Sequence, residues 1–510
     1  MIKVFLLLGV LLGYYVDDPI YHTYSEVQEE LDSLHSAYPE ITLLDTIGFS
    51  ERYGTPIIAF KISDNAGVPE AEPRVMFDGI HHAEEVLGLE TIMATINDIL
   101  ERYSEGDTLI RKFVDELEIW FLPVLNPDGH NIVMGLTPDS AVRDTGWRKN
   151  ARDNNLNGIL DLDADGVDPN RNYDFNWAMG GDSVPSHYFY RGPNPFSEGE
   201  TQAMKYFCER ERFCALVNYH SPSYSIGEIV YYPWRWTTHI PALPPDFHII
   251  DEVAGDMAAH IVNDNHNGHY LKTIGEAEVG NARNWQYGKL GIIALTIEIC
   301  SRRCQVPPEE VPDITARNRE GIYWLLSRAL RSSFLLTVRD TFTDRPLSVQ
   351  ALVLEIDTTD TIPPPRETDP RTGSLARLLL PGTYTLELRK EGYLTKQIQF
   401  DITDDDLTRI DTYLVPENPP EPLVPYPVPS SGEVRVVLDL DEVSHVKADV
   451  YDVAGRRIRE LLNGELGPGY AIVRWDGKND RGEDAGSGVF FIRFRIRDRK
   501  KVAKTVRVKR

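Results

Sequence analysis

Apolar residues recur at helical spacing in five stretches of the chain: Glu26 to Tyr38, Val86 to Leu100, Ser197 to Arg210, Phe247 to Val262 and Ile314 to Leu330. Each pattern predicts an amphipathic helix with one face turned to a core. Between them, continuous apolar runs such as Val75-Met76-Phe77, Phe213 to Tyr219 and Gly291 to Ile297 read as buried strands. This alternation over residues 21–332 predicts a layered α/β domain. The pattern changes near Ser333. Phe334 to Val338, Val349 to Ile356, Leu378 to Leu380 and Thr383 to Leu388 are short strand-like runs, with Pro381-Gly382 as a turn. Residues 333–415 are therefore expected to form a small β-sandwich. Seven prolines from Pro416 to Pro429 predict an extended, semi-rigid linker over 416–429. Clean alternation in Val434 to Leu440 and Val446 to Val450 then opens a second sandwich over 430–510. It is expected to end in a basic strand with Arg493, Arg495, Arg497, Arg499, Lys500 and Lys501.

A length of 510 residues agrees with about three domains of ordinary size. The formal net charge of -26 excludes a nucleic-acid partner, which needs a basic face, and would attract calcium. Lys3 followed by the apolar run Val4 to Leu12 resembles a secretory signal, so residues 1–20 are expected to direct export. The expected location is secreted or at a bacterial cell surface. No apolar run is long enough to span a membrane. The cysteines fall into two close pairs, Cys208 with Cys214 and Cys300 with Cys304. Local disulfides suit an exported protein; other pairings and free thiols stay open, and a structural role is expected.

His82 and Glu85, three residues apart, follow directly on a predicted strand, a spacing at which both can grip one metal ion from a short loop. A catalytic zinc takes three N/O ligands and keeps one position open for water. His220 supplies a third, because it too closes an apolar run, and Glu298 ends another. All four lie at the carboxyl ends of predicted strands, the edge where open α/β sheets place their sites. With zinc on His82, Glu85 and His220, Glu298 is the candidate base for the water it activates. Arginines near such a site can steady an oxyanion or clamp a carboxylate, which makes Arg148 and Arg171 candidates. Asp153, Asn155, Asn157, Asp161, Asp163 and Asp165 place oxygens on alternate residues around Gly158 and Gly166, a grammar suited to structural calcium. The closing glutamate of that motif is missing.

In order, Gly79-Ile80-His81-His82-Ala83-Glu84-Glu85, Asn126-Pro127-Asp128-Gly129, Trp147-Arg148-Lys149, Asp168-Pro169-Asn170-Arg171-Asn172, Tyr219-His220-Ser221 and Thr296-Ile297-Glu298 resemble the zinc carboxypeptidases of the carboxypeptidase A type. The resemblance covers residues 21–332. It implies a three-layer α/β/α domain on a mixed eight-stranded sheet that removes the last residue of a peptide. It also implies that Arg148 steadies the oxyanion, that Asn170 and Arg171 receive the terminal carboxylate, and that Asp168 orients His82. Three positions depart from the family pattern. Glu84 stands where arginine is usual, and Glu276, nine residues before Trp285, stands where a substrate-capping tyrosine is expected. Arg283 occupies the pocket floor, which implies a preference for peptides ending in Asp or Glu. Leu380-Pro381-Gly382-Thr383-Tyr384-Thr385-Leu386 and Glu391-Gly392-Tyr393 resemble a transthyretin-like domain. Tyr426 to Pro429, Val450 to Arg456, Trp475-Asp476-Gly477 and Gly486 to Phe490 resemble bacterial C-terminal sorting modules, which are read by export machinery or anchor a protein at the surface. The expectation is an exported zinc carboxypeptidase. Its rivals are a murein-peptide carboxypeptidase and a non-catalytic surface-binding protein.

Overall fold

The computed structural model describes residues 15–138, 142–221, 227–238, 242–300, 302–357, 363–419 and 421–508. The apolar run Val4 to Leu12 lies outside the described residues. Strands β1 (Thr42–Phe49), β2 (Pro56–Ile62), β3 (Arg74–Asp78), β4 (Glu118–Leu122), β5 (Ala215–His220), β6 (Ile229–Arg235), β7 (Leu271–Glu276) and β8 (Ile293–Glu298) form one mixed sheet. Their order is β1-β2-β4-β3-β5-β8-β6-β7. At the centre β4, β3, β5 and β8 run parallel, while β2 and β6 flank them antiparallel. Every residue of β3, β4 and β5 is buried, as expected of parallel strands covered on both faces.

The described helices are α1 (Tyr24–Ala37), α2 (Leu87–Glu105), α3 (Thr108–Glu116), α4 (Pro127–Met134), α5 (Gly199–Glu211), α6 (Phe247–His260), α7 (Ala282–Leu290) and α8 (Val311–Ala329). α2 and α6 both pack on α8, whereas α5 packs on β1 and α7. Apolar periodicity finds the long helices but misses α3, α4 and α7. Those three have eight or nine residues and are announced by their caps instead. The N-caps are Asp107, Asn126 and Asn281, whose side chains accept backbone N–H groups of the first turn.

The middle segment carries β9 (Ser333–Asp340), β10 (Gln350–Val353), β11 (Arg366–Glu367), β12 (Ser374–Leu378), β13 (Gly382–Arg389), β14 (Lys396–Ile402) and β15 (Leu407–Leu414). They form two sheets, β11-β10-β13-β14 and β12-β9-β15. The run expected at Leu378 to Leu380 sits earlier, because Ser374 to Leu378 pairs with Leu378 opposite Ser333 and Leu379-Leu380 lead into the turn. Two compact units result. The larger runs to Thr337 and includes Ser348–Leu388 and Gln397–Asp411; the smaller comprises Val338–Leu347, Arg389–Lys396 and Thr412–Arg510. In the smaller unit, β16 (Pro425–Tyr426) pairs with β17 (Val434–Leu440), so the end of the proline-rich segment belongs to a sheet rather than to a free spacer. β18 (Ser444–Asp452), β19 (Arg457–Leu466) and β20 (Gly469–Trp475) follow, and Val434, Trp475 and Ile492 share its core. The basic ending is a hairpin, not one strand. β21 (Gly488–Ile496) turns at Arg497, whose φ is 51°, into β22 (Arg499–Arg507).

Candidate active site

β3 ends at Asp78, and the chain turns sharply at Gly79-Ile80. Ile80 has φ 51°, and a Cβ on Gly79 would lie 2.9 Å from the Pro123 carbonyl oxygen. This turn carries His82 and Glu85 over the ends of the central strands before α2 begins. β5 closes on His220 and β8 on Glu298, and these two residues are direct partners in the parallel ladder. Three strand ends therefore deliver four of the expected residues to one place. Asn126 ties the loops together, donating to the carbonyls of His81 (3.3 Å) and Lys149 (3.2 Å).

His82 Nδ1 lies 2.9 Å from Glu85 Oε1, His220 Nδ1 lies 2.8 Å from Glu85 Oε2, and the two Nδ1 atoms are 3.0 Å apart. Two imidazole nitrogens and a carboxylate, all buried, thus crowd one point. Crowded lone pairs repel unless a proton or a cation sits among them, and three N/O ligands of this kind suit zinc with a position left open. The residues fit the metal. Asp168 Oδ1 faces His82 Nε2 at 3.2 Å, which keeps the proton on that nitrogen and leaves Nδ1 to bind. The same carboxylate accepts from Arg148 Nε at 2.9 Å and from the Asn170 amide at 2.9 Å. His81 turns away, toward Tyr173 Oη at 3.0 Å.

Burial alone would raise Glu85, but His82 and His220 hold it well below the usual carboxylate range. Glu298 goes the other way, pushed up to about 7 by burial and by the negative charge of Glu85. Burial lowers His220 to about 3, which keeps the ring neutral and able to bind a metal. Arg148 NH1 reaches toward Glu85 at 3.5 Å, and its guanidinium lies 5.2 Å from the ring centres of both Tyr188 and Phe189. Asn170 Nδ2 meets His220 Nε2 at 3.2 Å, while its Oδ1 accepts from the Ala282 amide. Arg171 donates to the Asn170 carbonyl and stacks on Phe189. Arg283 is 5 % exposed; burial lowers it to about 10, and its Nε has no hydrogen-bond partner. Beside Glu85 and Arg148 opens a cavity of about 470 Å³, walled also by Glu84, Tyr188, Ser221 and Gln305.

Residues 27–321 match the family model described as zinc carboxypeptidase. The chain belongs to the zinc carboxypeptidase family. Membership places it among the zinc metallocarboxypeptidases, which are hydrolases. It is 28% identical over 286 residues to a carboxypeptidase B of Astacus astacus, covering 55% of this chain and 86% of that one. A zinc carboxypeptidase of Saccharothrix mutabilis subsp. capreolus is 34% identical over 163 residues, 32% of this chain and 34% of that relative. Against a carboxypeptidase A2 of Rattus norvegicus the identity is 30%, and the chain spans about half of it, 52%. The solved structure of carboxypeptidase A from Helicoverpa armigera shares the fold, with a TM-score of 0.51 at 22% identity over 62% of this chain and 76% of that one.

The departures from the family pattern have physical contexts. Glu276 ends β7 with its side chain exposed, and Tyr270 is buried with its hydroxyl accepting from Asn318. Glu84 is buried, accepts from Tyr188 Oη at 2.9 Å and is raised to about 8 by burial and by Glu85. Tyr188 and Phe189 beside Arg148, and Tyr231 beside Arg283, were not visible as site residues in sequence; for the first two the one signal is a run of aromatics, Tyr188-Phe189-Tyr190, in a loop. The structure lends the calcium expectation no support. Asp153 accepts from the Asn157 and Gly158 amides, Asn155 from Asn157, Asn157 from Ile159 and Asp161 from Asp163. Asp165 takes the Asn154 and Asp161 amides and lies 3.5 Å from Arg52. Among the described residues no three acidic side chains of this loop, Asp163 included, converge as metal ligands. Cys208, Cys214 and Cys300 are unbridged thiols, so the structure contains neither of the local disulfides.

Proposed function

We propose that this chain removes the C-terminal residue of peptides, with a preference for acidic ends. The meeting of His82, Glu85, His220 and Glu298 at three adjacent strand ends carries the reading. Zinc held by the first three supplies Lewis acidity and lowers the pKa of water. Glu298, its pKa pushed up to about 7, would take a proton from an attacking water and give it to the departing amine. Arg148, braced by Asp168, offers its guanidinium to the oxyanion. Asn170 and Arg171 receive the terminal carboxylate. Arg283, a buried cation whose Nε has no hydrogen-bond partner, supports the acidic preference, because an apolar end residue would leave that donor unmet. Calcium forms no part of this reading.

Glu298→Gln should keep zinc bound while release from peptides ending in Glu, Phe or Lys falls by about 10²–10⁴-fold. Full activity in that variant would sink the proposal. The apolar leader and the C-terminal motifs further support export, with residues 430–510 read by export machinery or holding the protein at a cell surface.

A further inference from the structure

α7 joins two places that the sequence keeps far apart. At its first turn, the Ala282 amide donates to Asn170 Oδ1 at 2.9 Å, and Asn284 Nδ2 donates to the Glu276 carbonyl at 2.7 Å. Arg283 lies between these contacts. A Cβ on Gly275 would stand 2.1 Å from its NH2, so the guanidinium fills the space that the absent side chain leaves. Nine residues of helix are about 13 Å long, and the helix is rigid over that span.

The far end of α7 is gripped by the middle β-sandwich. Arg366, on β11, donates from Nε (3.0 Å) and NH2 (2.7 Å) to the Gly291 carbonyl at the helix C-terminus, where a cation also complements the helix dipole. Its NH2 also reaches Asp246 Oδ2 at 2.9 Å. Arg377, on β12, donates to Asp246 Oδ1 at 2.8 Å and to both oxygens of Asp357. Asp246 accepts as well from Tyr287 Oη, on α7, at 2.9 Å. Asp246, Arg366, Arg377 and Tyr287 are all buried. Two arginines and two aspartates balance in charge, so the cluster holds as a unit and loosens when one member is lost.

We propose that Arg366 and Arg377, acting through Asp246, are positioning residues that set α7 and hence Arg283, which makes the middle sandwich part of substrate recognition. This rests on the reading of Arg283 as the receiver of an acidic end residue. A misplacement of about 1 Å far from the chemistry can cost roughly 10²-fold in rate.

The test compares kcat/KM on peptides ending in Glu and in Leu for the full chain and for Arg283→Ala, Arg366→Gln, Arg377→Gln and Tyr287→Phe, with melting temperatures recorded beside them. Arg366→Gln and Arg377→Gln are expected to lower the Glu-over-Leu ratio about tenfold, more through KM than through kcat. Tyr287→Phe deletes one hydroxyl and should lower the ratio less, in the same direction; it keeps the test open if the arginine variants do not fold. A fall in melting temperature with an unaltered ratio in the folded variants overturns the proposal, since the sandwich is then only a support. If Arg283→Ala alone alters the ratio, only this proposal falls. If Arg283→Ala also leaves it unaltered, the acidic preference falls first and this proposal with it.

Discussion

Two buried carboxylates at this site, Glu85 and Glu298, are driven apart by their neighbours. Imidazoles on both sides keep Glu85 ionised, whereas burial and the nearness of Glu85 raise Glu298 to about 7. Opposite environments of this kind assign opposite roles, ligand and base. A base works only when deprotonated, and a raised value means that it gains its proton as pH falls through the neutral range. Bound zinc, being positive, moves that point downward. kcat/KM should therefore rise with pH along an acid limb at or below about pH 7. A rate without such a limb from about pH 5 to 8 would remove Glu298 from that role. At this scale the meeting of His82, Glu85, His220 and Glu298 was legible, because each follows or closes an apolar run. Tyr188 was not, since its closeness to Arg148 depends on a loop path that no local pattern encodes.

At the scale of elements, the site depends on how loops leave the strands. The turn after β3 brings Gly79 against the Pro123 carbonyl, the Leu89 amide and the Gly88 backbone, all within 3.2 Å of where a Cβ would sit. None of these backbone atoms can swing aside. Gly79→Ala should destabilise the protein by about 1–3 kcal/mol in urea unfolding and reduce its zinc content, because the shifted turn carries His82. Unchanged stability would mean that the turn yields freely. The helices legible in sequence were those with a long apolar face, such as α2 and α8. α7 was not, since Gly288 and its polar residues break the periodicity and its burial comes from packing on both sides. The strands of the smaller unit were legible by alternation, but the hairpin turn at Arg497 was hidden within a stretch where basic residues keep alternating through it.

For the whole molecule, the net charge of -26 contrasts with the basic hairpin that ends the chain. If residues 430–510 retain the protein at a surface, deleting them should move carboxypeptidase activity out of the surface-bound fraction of the source cells. An unaltered distribution between cells and medium would reject that role. Sequence by itself determined the α/β alternation, the change to short strands near Ser333 and the strand-end positions of His82, Glu85, His220 and Glu298, because periodicity and strand-end position are properties of consecutive residues. Only the tertiary structure decided that the oxygens of the 153–165 loop turn to their own amides and that the cysteines stay apart. It also decided that Arg366 and Arg377 close on Asp246 across more than a hundred residues of chain. Those outcomes depend on which distant surfaces come to share one buried space, and chain order does not carry that information.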